Sequence, residues 1–284
     1  MRVAFSTSLN PGPAHASQPK PRVRGFAPFS PRRVAEEIGN ELTSRQNCDG
    51  GWSAVLGGRV NQRTPGVLRA THRPARAESA PDVTGAALVA LANQKIATAQ
   101  QAIGDASAYL RAAQRADGSW HSATGVRLIH GTSWALRGLA AAGGAADDPA
   151  VAAGVNWLVV HQLDTGGWGE TVGDESQADE FVPAAATAIQ TAWAVLALTA
   201  CGHADHTAVR RGVQFLVDTQ EEHGHWDELQ FTLRNVAAAR LYRNELHSTA
   251  VPLAALSQWV VAAACACATA PCCLRLLSDE SLSC

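Results

Sequence analysis

Two kinds of apolar pattern alternate along this chain. In the first kind the apolar residues fall on one face of a helix, as Val155 and Leu158 do, and the opposite face is polar. In the second kind the residues are apolar almost all round, and these segments begin at Asp82, His130 and Ala186. A helix of the first kind needs cover on one side, whereas a helix of the second kind needs cover on every side. The pattern therefore predicts an all-helical protein with the apolar helices in an inner layer and the amphipathic helices in an outer layer.

A short motif follows each amphipathic segment and recurs four times. Leucine lies four residues before a glutamine, tryptophan lies six residues after it, and glycine lies two residues before the tryptophan. The glutamine and tryptophan pairs are Gln46/Trp52, Gln114/Trp120, Gln162/Trp168 and Gln220/Trp226. Because glycine adopts the left-handed conformation without steric cost, we expect it to end the helix at the C′ position, with the amide and the indole covering the helix end. A tryptophan at fixed register more often packs than reacts, so the motif is interpreted as structural.

The apolar helices carry start and stop signals of their own. Asp82 and Thr132 are residue types that cap helix N-termini, and each lies at the start of an apolar segment. Gly143 and Gly202 follow the last apolar residues and are predicted to stop these helices. The sequence therefore predicts repeated helical pairs, each made of one outer and one inner helix.

Composition and charge narrow the class of protein. The 284 residues are 46% hydrophobic and 17% charged, with a formal net charge of −2, which is typical of a globular chain and does not favour a nucleic-acid partner. Of the seven cysteines, five lie beyond position 264, and the odd count without paired spacing argues against a disulfide framework and a zinc site. These features predict a cytoplasmic protein without a bound metal.

Three regions follow from the composition along the chain. Residues 1–33 are rich in Pro, Arg and Ser and are predicted to be a disordered leader, residues 34–260 hold the repeats, and residues 261–284 form a Cys-rich tail. The longest apolar stretch runs from Val251 to Cys273 and is interrupted by Pro252 and Pro271. We interpret it as a buried or interfacial helix, which would allow peripheral contact with a membrane.

The four repeats and the segments GTSWALRGL, QTAWAVLAL and GGWGE resemble the C-terminal half of the triterpene cyclases, the squalene–hopene and oxidosqualene cyclase family. The resemblance covers residues 34 to 259. It implies an α/α toroid of helical pairs around an apolar cavity for a squalene-like polyisoprene, with no metal or organic cofactor. A closed toroid of this kind has about twelve helices, whereas this stretch accommodates roughly eight or nine at the usual helix and loop lengths, so the ring is expected to be incomplete.

The resemblance also implies an activity, that of an isomerase of the intramolecular transferase type. Such an enzyme protonates a terminal alkene or epoxide and guides the cation through ring closures. In the family the proton comes from a D-x-D-D motif, which this sequence lacks, and Ala86 stands where the family commonly has a supporting histidine. The catalytic residues are therefore unknown. The candidates for the substrate cavity, which lie on matched segments, are Asp82, Thr84, Glu170 and Trp193.

Three hypotheses follow. The chain is an enzyme half that works with a separately encoded N-terminal half or as a homo-oligomer, or it is a non-catalytic truncated remnant that binds lipid or protein. The third is a metal enzyme similar to the protein prenyltransferase β-subunits. The histidine pairs that suggest ligands are His203/His206 and His223/His225. Both lie in loops without a cysteine or aspartate at that family's spacing, so solvated histidines are favoured.

Overall fold

The computed structural model describes residues 31–54, 78–93, 99–144, 147–171, 180–228, 230–236 and 240–269. Within these residues the elements are α1 Pro31–Ser44, α2 Pro81–Asn93, α3 Gln100–Ala112, α4 Ile129–Ala141, α5 Pro149–Val160, β1 Trp168–Glu170, β2 Pro183–Thr187, α6 Ala188–Ala200, α7 Thr207–Asp218, β3 Leu233–Asn235, β4 Arg240–Tyr242 and α8 Glu245–Thr269. Strands β1 and β2 pair antiparallel, as do β3 and β4. The predicted leader before residue 31 and the tail after residue 269 lie outside the described residues.

The helices form the two layers that the apolar patterns predict. Helices α2, α4, α6 and α8 pack side by side in that order. Helix α3 packs on α2 and α4, α5 packs on α4 and α6, and α7 packs on α6. In α6 every residue from Ala188 to Thr199 is buried, whereas α7 buries only one face, which includes Val209 and Leu216. In the described part of the chain no extensive packing joins α8 to α1 or α2, as expected of an incomplete ring.

Glycines let the inner helices approach closely. A Cβ on Gly85 of α2 would lie 2.2 Å from the carbonyl oxygen of Trp134 on α4, and a Cβ on Gly138 would lie 2.9 Å from the Cα of Gly85. Real side chains cannot occupy such positions, so α2 and α4 contact each other through backbone. This contact fixes how the faces of the two helices are oriented.

The motif glycines adopt the predicted left-handed conformation but not at the predicted position. Gly118 has a φ of +93°, yet α3 has already ended at Ala112, and the N–H of Gly118 closes a tight turn on the carbonyl of Arg115. The helix end is capped by other groups, because the N–H of Ala113 bonds to Tyr109 and the Trp120 indole donates to the carbonyl of Leu110 at 2.6 Å. The C′ prediction is therefore wrong, whereas the indole does cover the helix end. The other three indoles make the corresponding bond, namely Trp52 to Leu42, Trp168 to Leu158 and Trp226 to Leu216.

The motif glutamines join one repeat to the next. The Gln114 amide donates to Gly118 in its own turn and to the carbonyl of Ala150 in the first turn of α5, at 2.9 and 2.8 Å. Gln46 and Gln162 make the same pair of bonds, with Ala102 of α3 and Ala208 of α7 as the distant acceptors. Each turn is thereby fixed to the outer helix that follows it. The fourth glutamine, Gln220, donates only to Gly224 in the described part of the chain.

The predicted stops of the inner helices are confirmed, and their predicted caps are not. Gly143 and Gly202 both have a φ of +85° and lie two residues beyond the ends of α4 and α6. Thr132 lies inside α4, and its hydroxyl accepts from the backbone N–H of Trp120 at 3.0 Å instead of capping the helix. Asp82 lies in the first turn of α2, and its carboxylate bonds to a distant loop.

Helix α8 starts earlier than the apolar stretch predicts. It begins at Glu245, where the Asn244 side chain accepts from the N–H of Leu246, and it continues through Pro252 instead of breaking there. Pro252 and Ala255 are buried on the side that packs on α6, whereas Leu253 and Val260 are 47% and 56% exposed. Residues Glu245–Cys265 are long and apolar enough to cross a membrane, on length and composition alone.

Candidate functional site

Helix α4 presents one face to the outer layer and the opposite face to the inside of the arc. Thr132 bonds to the Trp120 turn, and Leu136 contacts α5, where a Cβ on Gly154 would lie 3.0 Å from its Cδ2. Since residues three or four apart share a helix face, His130, Trp134 and Arg137 lie on the opposite side. We call this side of α4, defined by those three residues, the inner face. It faces away from the outer helices α3 and α5.

Asp82 holds the loop that precedes α4. Its carboxylate accepts from the N–H of Ala123 at 3.1 Å, from the N–H and hydroxyl of Thr124 at 2.8 and 2.6 Å, and from the hydroxyl of Ser122 at 2.9 Å. Burial alone would raise the pKa of Asp82, but the neighbouring His130 and the hydrogen bonds from Thr124 and Ala123 outweigh burial and hold the pKa well below its ordinary value. Asp82 is therefore an ionised carboxylate at neutral pH.

His130 links Asp82 to two tryptophans. Its Nδ1 lies 3.6 Å from a carboxylate oxygen of Asp82, and its Nε2 accepts from the indole N–H of Trp134 at 3.0 Å. Because an indole N–H can only donate, the ring proton of His130 is on Nδ1, on the Asp82 side. The ring of Trp193 packs edge-on against His130 with the centroids 4.4 Å apart. The structure thus brings together two of the cavity candidates, Asp82 and Trp193, around a histidine that sequence analysis did not select.

Arg137 extends this row along the inner face. Its guanidinium lies 4.1 Å from the centroid of the Trp134 ring, in cation–π geometry. Burial lowers the pKa of Arg137 to about 10, so the group stays charged at neutral pH. No carboxylate among the described residues pairs with it. The spacing of His130, Trp134 and Arg137 in the GTSWALRGL region was the sequence signal for this row.

Of the other two cavity candidates, Thr84 holds the first motif turn and Glu170 holds the start of α4. The Thr84 hydroxyl accepts from the N–H of Trp52 at 2.9 Å, as Thr132 does in the next repeat. One oxygen of Glu170 accepts from the N–H groups of Leu128 and Ile129 at the start of α4, at 2.9 and 2.6 Å. Burial raises the pKa of Glu170 to about 7, although these two bonds act in the opposite direction.

The loop histidines have local partners. The His203 and His206 rings are 6.2 Å apart, and Nδ1 of His206 accepts from the N–H of Ala208 at the start of α7. Within the described ranges no group of three or more His, Cys, Asp or Glu side chains is arranged to hold a metal ion. A polar cavity of about 430 Å³ lies between the fourth turn and α8 and is lined by residues that include His225, Asp227 and Arg243. Arg240 is exposed on β4.

Comparison with known proteins extends over most of the chain. Residues 32–261 match the family described as squalene-hopene cyclase C-terminal domain. The squalene–hopene cyclase of Bradyrhizobium diazoefficiens is 36% identical over 220 residues, which are 77% of this chain and 33% of that protein. The squalene–hopene cyclase of Alicyclobacillus acidocaldarius is 32% identical over 191 residues, which are 67% of this chain and 30% of that protein. The chain therefore spans about a third of the length of these relatives.

Solved structures give the same fold. The type II terpene cyclase MstE from Scytonema, in a variant bound to geranylgeranyl dihydroxybenzoate, superposes with a TM-score of 0.55 at 16% identity, covering 78% of this chain and 66% of MstE. At this identity the likeness concerns the fold alone, and it confirms the predicted α/α toroid. The helical pairs, the four motif turns and the match over residues 32–261 lead to one assignment: this chain belongs to the squalene–hopene cyclase C-terminal domain family.

Proposed function

We propose that this chain supplies part of the wall of a triterpene-cyclase cavity and takes part in the cyclisation of a squalene-like polyisoprene when a partner supplies the proton donor. The proposal depends on one observation above all. Asp82, the carboxyl group beside the inner face, is ionised and accepts four hydrogen bonds, so it cannot be the acid. Protonation of an alkene requires a carboxyl group that holds its proton and has access to the substrate.

Glu170 does not fill this role. Its pKa of about 7 means that a share of the molecules carry a proton there at neutral pH, but the side chain is 2% exposed and bonds to the start of α4. Among the residues that the structure describes, we find no carboxyl group that is both protonated and on the inner face. The acid, which the family carries in a D-x-D-D motif, is therefore assigned to a partner.

The edge formed by the fourth turn and α8 is suited to such a partner. In the first three repeats the turn glycine lies against the next outer helix, as Gly118 does against the carbonyl of Ala153. At Gly224 an added Cβ would have only the Gln220 amide within 4 Å, at 3.9 Å. Among the described residues, the Gln220 amide has no acceptor that corresponds to Ala150, to which Gln114 donates. A further helical pair with the same motif would complete both contacts, and we assign it to a separately encoded N-terminal half.

Reconstitution tests this proposal. The chain would be co-expressed with the part of the Bradyrhizobium relative that lies N-terminal to the matched region, and the purified material would be assayed with squalene by gas chromatography and mass spectrometry. We expect a complex that forms cyclic triterpene, no product from either part alone, and no product when the D-x-D-D aspartates of the partner are changed to asparagine. Conversion of squalene by the chain alone would show that it has its own acid. Absence of a complex would contradict the partner assignment.

One observation favours a second candidate, a non-catalytic lipid-binding fragment. Helix α8 exposes Leu246, Leu253 and Val260, and such an apolar helix can lie in a membrane interface. This would place the protein peripherally on a membrane. Co-flotation of the chain with anionic and neutral lipid vesicles, in a preparation that fails to convert squalene with the partner, would favour this function over the cyclase.

A further inference from the structure

The outer helices α3, α5 and α7 are each contacted at the start by a motif turn, and the contacts fall at fixed positions. The motif glutamine donates to an alanine carbonyl in the first turn of the helix, and an added Cβ on the turn glycine would lie against the carbonyl three residues further on, as for Gly118 and Ala153. The acceptors are Ala102, Ala150 and Ala208. Each acceptor lies 12 residues before the motif glutamine of its own repeat, as Ala102 does before Gln114. This constant spacing identifies the covered positions in any outer helix of the chain.

The residue four positions after the acceptor lies beside the tryptophan of the same turn. A Cβ on Gly154 of α5 would be 2.6 Å from Cζ3 of Trp120, and a Cβ on Gly212 of α7 would be 2.7 Å from Cζ3 of Trp168. The corresponding residue of α3 is Ala106, which is fully buried. Because the indole leaves no room for a large side chain, this position holds glycine or alanine in all three helices.

Helix α1 has a large exposed side chain at the same position. Counting 12 residues back from its motif glutamine, Gln46, gives Val34 as the acceptor and Ile38 as the residue beside the indole. Ile38 is 45% exposed, and residues 1–33 contain no tryptophan. A single exposed apolar residue is common on protein surfaces, but this one occupies the position that a turn covers in the other three outer helices. The start of α1 is therefore a surface of the kind that receives a motif turn.

A turn that carries tryptophan does not fit over Ile38. This argues against the fourth turn of a second copy, because that turn carries Trp226, whose indole is held by its bond to Leu216. A turn with a smaller residue at the indole position leaves room for the Ile38 side chain, which then fills the space that the indole occupies elsewhere. Apolar contacts tolerate such exchanges when the total volume is kept.

We propose that a turn of the partner half covers the start of α1, with its glutamine donating to the carbonyl of Val34 and with a residue smaller than tryptophan packed on Ile38. The proposal rests on the proposed function in one respect, that a separately encoded half completes the ring. It adds a second contact, at the opposite end of the arc from the fourth turn and α8. It also states which property of the partner's turn determines the fit.

The affinity of the two halves tests this contact. The part of the Bradyrhizobium relative that lies N-terminal to the matched region would be titrated into the purified full chain by isothermal titration calorimetry. Ile38→Glu should weaken binding at least about tenfold, because the contact would remove a carboxylate from water. Val160→Glu is the matched control, since Val160 is 67% exposed on α5 in the middle of the arc, and it should leave the Kd unchanged. Both variants should keep the Tm of the original protein, because both side chains are exposed.

A paired substitution tests the size of the partner's residue. In the last turn of the partner half, the residue six positions after the motif glutamine would be changed to tryptophan. This change should weaken binding to the original chain about tenfold, because the contact would be overpacked. Ile38→Ala in the chain should restore the affinity, since alanine is the residue at this position in α3.

Several outcomes would overturn the inference. Equal affinities of the original chain and Ile38→Glu would do so, as would a tryptophan already present at that position of the partner or a failure of the two halves to bind. Squalene conversion by a complex whose affinity does not depend on Ile38 would refute the contact at α1 and leave the cyclase proposal standing. Conversely, binding that depends on Ile38 in a complex that leaves squalene unchanged would refute the cyclase proposal and support the contact.

Discussion

Glu170 is a buried carboxyl group that holds a helix start, and its burial disfavours the charged form. Its carboxyl oxygen caps the start of α4 from the third repeat, because it bonds to the N–H groups of Leu128 and Ile129. An anion is favoured at a helix N-terminus, yet burial makes the charged form expensive and raises the pKa of Glu170 to about 7. The opposite balance applies at Asp82, where four hydrogen bonds and His130 outweigh burial. Two buried carboxyl groups of the same fold thus have pKa values shifted in opposite directions.

Replacement of Glu170 by glutamine should change how stability depends on pH. Between the ordinary pKa of 4.5 and the folded value of about 7, the folded protein holds a proton that the unfolded chain releases, so stability falls as pH rises through this window. Glutamine does not titrate and can still accept both bonds. We therefore expect the free energy of unfolding of Glu170→Gln to gain on the order of 2 kcal/mol relative to the original protein between pH 5 and pH 8, measured by urea denaturation.

The control is Glu222→Gln, which alters an exposed glutamate in the fourth turn. It should leave the pH profile of stability unchanged. Parallel profiles for Glu170→Gln and the original protein would mean that Glu170 does not titrate in this window.

At the level of elements, the repeat is held together by backbone groups at helix ends. Each motif turn covers the end of the preceding outer helix with an indole, and each of the first three turns reaches the start of the following outer helix with an amide. The indole bonds to a carbonyl of the last helical turn, which has no partner within its own helix, whereas the amide adds a second hydrogen bond to a carbonyl in the first turn of the next helix. The turn therefore connects neighbouring helical pairs through hydrogen bonds.

Two of the motif glutamines allow the contribution of this connection to stability to be measured. Gln114→Leu removes bonds to Gly118 and to Ala150, whereas Gln220→Leu removes only the bond to Gly224. At about 1 kcal/mol for each hydrogen bond, we expect Gln114→Leu to lower the free energy of unfolding by about 2 kcal/mol and Gln220→Leu by about half as much. Urea denaturation of the two variants under identical conditions measures the difference. Equal losses would indicate that the bond to the next helix contributes nothing to stability.

For the whole molecule, the decisive feature is an arc whose last inner helix has one uncovered side. Helix α8 packs on α6 through Pro252 and Ala255, and it exposes Leu253 and Val260 on other faces. Exposed apolar surface on a helix that belongs to a layered fold commonly marks an interface. Together with Gln220, which reaches no further helix in the part of the chain that the structure describes, this surface is where the proposed partner half would continue both layers.

Charges on this side of α8 should prevent assembly without weakening the chain itself. Leu253→Glu with Val260→Glu places two carboxylates on residues that are 47% and 56% exposed, so folding should change by less than about 0.5 kcal/mol. Co-purification with the N-terminal half should be lost. Val217→Glu is the matched control, since Val217 is 53% exposed on α7 in the outer layer. Retention of the complex by the double variant, or its loss in the control, would place the interface elsewhere.

The local pattern of the sequence was sufficient for the elements and for the family. The apolar periodicity predicted which helices are inside, and Gly143 and Gly202 predicted where two of them stop. Such signals act over a few residues, since helix periodicity and the freedom of glycine are properties of the local backbone. The prediction that the motif glycines end the outer helices was wrong, because the helix end is covered by an indole from a residue ten positions further along the chain. The neighbouring sequence carries no pattern for such a contact.

Only the tertiary structure decided what the candidate side chains contact. Asp82 bonds to Thr124, and Glu170 bonds to Ile129, and in each pair the two residues are about forty positions apart. No pattern in the neighbouring sequence predicts either contact. The structure also shows that His130 and Arg137 lie on the inner face of α4, where both contact Trp134. Hydrogen bonds, burial and charge set a protonation state only after distant segments have packed together. The sequence by itself thus determined the helices and their repeat, whereas packing determined which side chains are hydrogen-bonded and which carboxyl groups have a raised or lowered pKa.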